Sequence, residues 1–192
     1  RWILQLEDGS FLQVGKNQMA DFALYDGREL TEEELEDLRR AERHDRFQSY
    51  ALRVLMDTPM SRKRLVEHLC RKACPEEEAQ AIAQRMVDLG VLNEGWYAAE
   101  VARQYASRGY GPRRVRDELY RRGVPREHWD AALQEVEDWE EGMDAFLRKR
   151  LGGTAPDPKD LKRASDALDR RGYGWGEINA ALRRYGAEIE EE

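Results

Sequence analysis

The chain is poor in the residues that mark secreted, membrane-bound or metal-dependent proteins. It has two cysteines in 192 residues, Cys70 and Cys74, too few for a disulfide framework. They lie four positions apart beside His68. With no second Cys or His pair they fall short of the four ligands a structural zinc site takes, so no metal is expected. No apolar run approaches the length of a membrane span. Polar and acidic residues interrupt the opening Trp2-Ile3-Leu4 at once, unlike a signal peptide, and a cytoplasmic location is expected. Histidine is scarce too: His44, His68 and His128 have no nucleophile or carboxylate at a fixed catalytic spacing. The Gly-x-x-x-x-Gly-Lys, Gly-x-Ser-x-Gly and His-Glu-x-x-His patterns are all missing. The expectation is a protein without catalysis and without a cofactor.

What the chain does have is charge and repetition. Charged residues make up 37% and hydrophobic residues 41% of it, the balance of a soluble, charge-rich helical protein. A segment around Leu65 to Met86 recurs without gaps fifty residues later, and again forty-nine residues after that. Leu65, Val115 and Ala164 correspond, as do Leu69, Leu119 and Leu168. A basic pair follows in each copy: Arg71-Lys72 before Ala73, Arg121-Arg122 before Gly123, and Arg170-Arg171 before Gly172. Ala79, Trp129 and Ile178 align next, then Ala83, Leu133 and Leu182, then Met86, Val136 and Tyr185. Apolar positions match apolar positions, which indicates one supersecondary unit used three times and favours a binding surface over a single catalytic pocket.

The local signals divide the chain further. Trp2-Ile3-Leu4-Gln5-Leu6 and Phe11-Leu12-Gln13-Val14 flank Asp8-Gly9, a two-residue turn signal, and predict a β-hairpin. A short helix through Met19 and Phe22 is broken by Gly27, and a Thr31/Glu34 capping box opens a helix expected to end near Arg43. Phe47, Ala51 and Leu55 then begin the first repeat, with Ser61 as a cap and a helix from Pro75 to Gly90. In the second repeat, Asn93 caps a helix carrying Tyr97, Val101, Ala102 and Tyr105, and Gly109 ends it. Pro112 starts a helix bearing Val115 and Leu119, Gly123 takes the left-handed position that closes it, and Pro125 opens a third. The third repeat reads as a helix around Ala145 to Leu151, a loop from Gly152 to Pro158, and two helices separated by Gly172-Tyr173-Gly174 and ending at Gly186. Ala73 replaces glycine in the first repeat, so its turn is expected to close less sharply.

The resulting fold class is mainly α: tandem three-helix repeats resembling helix-turn-helix bundles, with a small N-terminal hairpin and helix. The expected segments are 1–43 for the extension and 44–93, 94–143 and 144–192 for the repeats. Units of about fifty residues bury too little to stand alone and lean on their neighbours. At about 25 Å each, three in an elongated row would span roughly 75 Å.

The net charge of −7 opposes nonspecific nucleic-acid binding by the whole molecule, but the charge is segregated. Arg103, Arg108, Arg113, Arg114, Arg116, Arg121, Arg122 and Arg126 face only Asp117 and Glu118 in that stretch. From Glu127 to Asp144 there is acid with no Lys or Arg. On charge alone the arginines are either a dock for an anionic partner or a solvated face. A helix-turn-helix-like module contacting DNA phosphates is one reading, though the acidic third helix of the middle repeat would repel the backbone it approaches. A generic helical scaffold is another. Trp129 reads as core, while the Gly-flanked Tyr110 and Tyr173 read equally as core or stacking surfaces.

The pattern Leu92-Asn93-Glu94-Gly95-Trp96-Tyr97-Ala98, followed by Gly109-Tyr110-Gly111, Arg114-Val115, Glu118-Leu119 and Arg122-Gly123-Val124, resembles the RecX family of regulators of the RecA recombinase. So do Ser61, Arg64-Leu65 and His68-Leu69 in the first repeat, and Leu168, Arg171-Gly172-Tyr173, Glu177-Ile178 and Leu182 in the third. The likeness covers about residues 30 to 186. It departs where the family commonly has an aspartate pair before Tyr-Ala, this chain having Asn93-Glu94-Gly95. The resemblance implies inhibition without chemistry: a monomer that binds RecA and RecA–single-stranded-DNA filaments, impeding extension, ATP hydrolysis and strand exchange, with at most weak direct binding to DNA. The partner-facing residues it suggests are Arg71, Lys72, Arg108, Arg113, Arg114, Arg116, Arg121, Arg122, Arg170 and Arg171, held by turns at Gly109, Gly111, Gly123, Gly172 and Gly174.

Overall fold

The computed structural model describes residues 1–152 and 156–191; the middle of the expected Gly152–Pro158 loop lies outside them. The chain forms two compact units, one of residues 1–59 and 65–91, the other of residues 60–64 and 92–192.

In the first unit, β1 (Trp2–Gln5) pairs antiparallel with β2 (Phe11–Val14), Trp2 opposite Val14 and Gln5 opposite Phe11. Leu4, Leu12 and Val14 turn inward, while Ile3 and Phe11 on the other face stay exposed. The connection is a residue longer than the two-residue turn expected. Leu6 N–H donates to the Ser10 carbonyl and Gly9 N–H to the Leu6 carbonyl, with Gly9 at φ +80°, a three-residue loop closed by a left-handed glycine. Helix α1 (Lys16–Asp21) follows. Its buried Gln18 accepts from Gly15 N–H and donates to Asp45, tying the extension to the next helix.

That next helix, α2, runs from Glu32 to Asp57 behind the Thr31/Glu34 capping box. The end expected near Arg43 does not exist. No Gly or Pro interrupts the segment, and the inward stripe of Leu38, Phe47, Ala51 and Leu55 continues along one face, so one helix serves both the extension and the first bundle. It packs with α4 (Glu76–Asp88), which follows α3 (Arg62–Cys70). Leu65, Leu69, Ala79, Ile82 and Ala83 are fully buried there. His44 bridges α2 and α4, its Nδ1 2.8 Å from the Glu78 carboxylate. Cys74 is buried, and burial with Glu78 nearby pushes its thiol up to about 11.

The turn at Ala73 is as sharply closed as its counterparts: φ is +63°, against +72° at Gly123 and +93° at Gly172. Alanine there is strained, because its Cβ crowds the backbone in the left-handed region, at a cost of about 1–2 kcal/mol. Glycine relieves that strain and loses roughly 0.4–1 kcal/mol to the freer unfolded chain. Ala73→Gly is therefore expected to leave stability unchanged or raise it by up to about 1.5 kcal/mol in urea unfolding. A clear loss would mean that Cβ contacts at this turn outweigh its strain.

The second unit holds two further bundles. Helices α5 (Glu94–Ser107), α6 (Pro112–Arg121) and α7 (Trp129–Gln134, entered through a 3-10 turn at Arg126–His128) enclose Tyr97, Val101, Ala102, Val115, Leu119, Ala132 and Leu133. Asn93 Oδ1 caps α5 by accepting from Trp96 N–H at 2.9 Å. The last bundle is α8 (Glu140–Leu151), α9 (Pro158–Arg170) and α10 (Trp175–Glu191) around Met143, Leu147, Ala164, Leu168, Tyr173, Ile178 and Tyr185. Helix α8 starts earlier than expected because Asp138 accepts from the N–H groups of Glu140 and Glu141, a cap outside the repeat pattern. Helix α10 continues past Gly186.

Candidate functional site

Helix α6 is the centre of the arginine-rich stretch. Gly111 precedes it, Pro112 occupies its first turn, and Val115 and Leu119 fill the core at 0% exposure. With that stripe inward, Arg114, Arg116, Asp117, Tyr120 and Arg121 line a cleft completed by Arg126 and Trp129, about 520 Å³ in volume. Trp129 is half-buried against the core and held there by its indole N–H, which donates to the Val124 carbonyl at 3.0 Å. It is thus both core and cleft wall. The Arg126 guanidinium sits 5.5 Å from its ring centre. Arg116 reaches Asp130 at 3.3 Å and Arg121 reaches Glu118 at 3.5 Å, both pairs half or more exposed on at least one side. The Arg116–Asp130 pair, exposed on both sides, contributes little and is readily exchanged for a stronger anion.

The second arginine of the same basic pair behaves differently. Arg122 folds back on Glu118 at 2.7 Å and donates to the Tyr97 hydroxyl at 2.9 Å. Burial disfavours its charge, but the bonds to Tyr97 and Glu118 outweigh burial and leave its pKa above the ordinary value. For Glu118 burial acts upward, and its bond to Arg122 prevails and lowers its pKa. The Arg122 carbonyl accepts from the Ser61 hydroxyl at 2.6 Å, and the same hydroxyl accepts from Arg64 N–H, the cap expected of Ser61.

Beside the cleft the second and third repeats are joined backbone to backbone. Gly111 N–H donates to the Arg171 carbonyl at 2.8 Å and Arg113 N–H to the Gly172 carbonyl at 3.1 Å. A Cβ on Gly111 would lie 2.6 Å from the Gly172 oxygen, and one on Gly172 would lie 2.8 Å from Arg114 Cβ and closer still to its nitrogen. Only glycine allows that approach. The Arg171 side chain completes the joint: it donates to the carbonyls of Arg108 and Gly109 at 3.0 and 3.2 Å and lies over the rings of Tyr110 and Phe146, 5.0 and 4.5 Å from their centres. Arg113 bridges from α6 to Asp169 at 2.6 Å and to the Tyr173 carbonyl. Tyr173 is fully buried beneath, its phenol pushed up to about 12 by burial. Tyr110 packs on Tyr105, ring centres 5.4 Å apart.

The suggested site residues therefore separate into groups. Arg114, Arg116 and Arg121 meet at the cleft, whereas Arg113 and Arg171 meet at the joint, to which Arg108, an exposed residue, lends its backbone carbonyl. Arg122 is turned inward, and Arg170 is exposed at the end of α9. In the first unit Arg71 is exposed, 3.8 Å from Glu67, and the Lys72 ammonium lies 5.8 Å from the Tyr50 ring centre. Of the turn glycines, Gly109, Gly123 and Gly172 are left-handed. Gly111 and Gly174 are not, Gly111 serving close approach and Gly174 donating its N–H to Glu177. Sequence reasoning passed over Tyr120 as a site residue, and Arg126, counted in the arginine-rich stretch, was left out of the suggested partner-facing set. Tyr120 was visible in principle, since it falls one helical turn after Arg116 and outside the Val115/Leu119 stripe.

A family model described as the second three-helix domain of RecX matches residues 93–133, the stretch that builds the cleft. The regulatory protein RecX of Xanthomonas axonopodis pv. citri (strain 306) is 37% identical over 135 residues, spanning 69% of this chain and 83% of that protein. The chain belongs to the RecX family. The RecX of Stenotrophomonas maltophilia (strain R551-3) is 35% identical over the same length, again covering 69% and 83%. Two crystal structures share the fold. One of a regulatory protein RecX has a TM-score of 0.75 at 20% identity, covering 93% of this chain and 92% of its own. The other, RecX from Lactobacillus salivarius, has a TM-score of 0.69 at 18% identity, covering 77% and 99%. Among the described residues, no helix is long and apolar enough to cross a membrane.

Proposed function

We propose that this RecX family protein is a non-catalytic cytoplasmic regulator that binds RecA and RecA–single-stranded-DNA filaments as a monomer, without a cofactor. It impedes filament extension, ATP hydrolysis and strand exchange. The observation that carries the reading is the arginine cluster of α6, with Arg116 and Arg121 exposed and Arg114 half-buried beside them, held on a bundle that is bonded backbone to backbone to its neighbour. A fixed cationic face of this kind recognises an anionic surface by position as well as by charge, and adds to association rate and specificity.

The direct test is the single-stranded-DNA-stimulated ATPase of RecA from the same organism, with and without this protein. Inhibition below one molecule per RecA subunit is expected, and no inhibition at equimolar protein overturns the reading. Reversing Arg116 and Arg121 to Glu is expected to leave helical content and melting nearly unchanged, since exposed substitutions shift stability by about 0.5 kcal/mol or less. Inhibition should fall about tenfold or more, and wild-type inhibition should weaken as salt is raised. Arg113 is left intact in this variant because its reversal would also break the bridge to Asp169. Normal inhibition by the double reversal would assign the arginines to solvent.

A further inference from the structure

The cleft on α6 has features that contact with an acidic protein surface does not require. Its lining sets four guanidinium groups and two aromatic side chains around one carboxylate, that of Asp117. Among the described residues, Arg114 and Arg126 have no carboxylate partner for their guanidinium groups. Tyr120 is 69% exposed and takes no part in the core of its repeat, so its ring is costly to leave in water and available for stacking. Trp129 forms a second, fixed aromatic wall. Cationic groups interleaved with exposed aromatic rings are the pattern by which proteins hold a nucleotide, phosphate on the arginines and base on the ring. The volume of about 520 Å³ falls within the range of roughly 300–1,000 Å³ of small-molecule sites.

We propose that this cleft binds a nucleoside phosphate unit, its phosphate held by Arg114, Arg116 and Arg121 and its base stacked on Tyr120 against the Trp129/Arg126 wall. The unit is either a free nucleotide or one nucleotide of a single strand; the chemistry recognised is the same. Arg116 exchanges Asp130 for the phosphate, which costs little because that pair is exposed. Stacking is blind to base identity, so the site is sequence-tolerant. The inference shares the α6 arginines with the RecA reading but is measured without RecA, so either can fail alone.

The test titrates the full chain with a fluorescein-labelled dT oligomer of about ten nucleotides, within the site sizes of stacking grooves, and separately with ADP, inorganic phosphate and poly-glutamate. Tyr120→Ala is expected to weaken binding of the oligomer, of ADP, or of both, by about tenfold, whereas Tyr120→Phe retains it, since the ring and not the hydroxyl does the stacking. Binding of the oligomer alone identifies a strand as the source, and binding of ADP identifies a free nucleotide. Both support the site. Failure of both ligands to bind overturns it, as does a Tyr120→Ala variant that binds as the wild type. Displacement by poly-glutamate with no effect of Tyr120→Ala also overturns it, and makes the cleft a dock for acidic peptide.

Discussion

Gly172→Val is expected to melt the second unit roughly 10–20 °C below the wild type. Two penalties combine. A β-branched residue at φ +93° is strained by at least about 1–2 kcal/mol. In addition, its Cβ would fall 2.8 Å from Arg114 Cβ and nearer still to the Arg114 nitrogen, so backbone rather than a flexible side chain must yield. A combined loss of about 3 kcal/mol corresponds to that shift for a unit near one hundred residues. Gly111→Ala separates the two, because its φ is −88° and only the clash with the Gly172 carbonyl applies. Gly123→Ala separates them the other way: its strain is present at φ +72°, but its close neighbours are carbons of the flexible Lys63 side chain. The expected order of damage is Gly172→Val first, with the other two well behind. Calorimetry or thermal circular dichroism checks it, and a Gly172→Val variant melting within about 2 °C of the wild type would remove the joint from this account.

The second large effect is expected from Arg171→Ala, at about 2–3 kcal/mol. The substitution strips two charge-assisted bonds from carbonyls at the end of α5, and empties the space between Tyr110 and Phe146. One of the two bonds is exposed and the other only part-buried, so together they contribute about 1.5–2 kcal/mol, the low end for one bond to a charged donor, and the ring contacts add about 0.5–1 kcal/mol between them. The cation also sits at the negative end of the α5 dipole. Arg171→Lys should recover less than half of the loss, because an ammonium cannot lie flat between two rings while forking to two carbonyls. Lysine restoring full stability would show that charge alone matters here. A fall in RecA inhibition by Arg171→Lys, which keeps the charge and leaves the cleft arginines untouched, would show that partner binding depends on the orientation of one repeat against the next.

The repeats were legible because burial follows spacing. Leu65, Val115 and Ala164 align by sequence, and all three are fully buried. Asn93, Pro112 and Gly123 act locally, through a side-chain bond, a fixed φ and a left-handed turn, and each was readable where it stood. The continuation of α2 through Arg43 was hidden because Phe47, Ala51 and Leu55 were read as opening the first repeat, although no residue near Arg43 signals a stop. The joint was hidden for a different reason. Gly111 and Gly172 are distant in sequence, and nothing local distinguishes a glycine needed for close approach from one needed for a turn. The basic pair shows the same limit. Arg121 and Arg122 are adjacent and chemically identical, yet one faces the cleft and the other an internal Glu118/Tyr97 pair, because a single step of a helix turns the side chain by about 100°.

The joint between the second and third repeats rests on backbone amide bonds and on the Arg171 guanidinium set against carbonyls and rings, whereas the face it steadies presents guanidinium ions to a partner. Dissolved ions weaken the second kind of contact far more than the first, of which only the exposed Arg113–Asp169 pair is open to screening. Ionic strength therefore acts on the two separately. Moderate salt should detach an anionic partner while the angle between these repeats stays as it is, so that dilution restores binding without any slow refolding step.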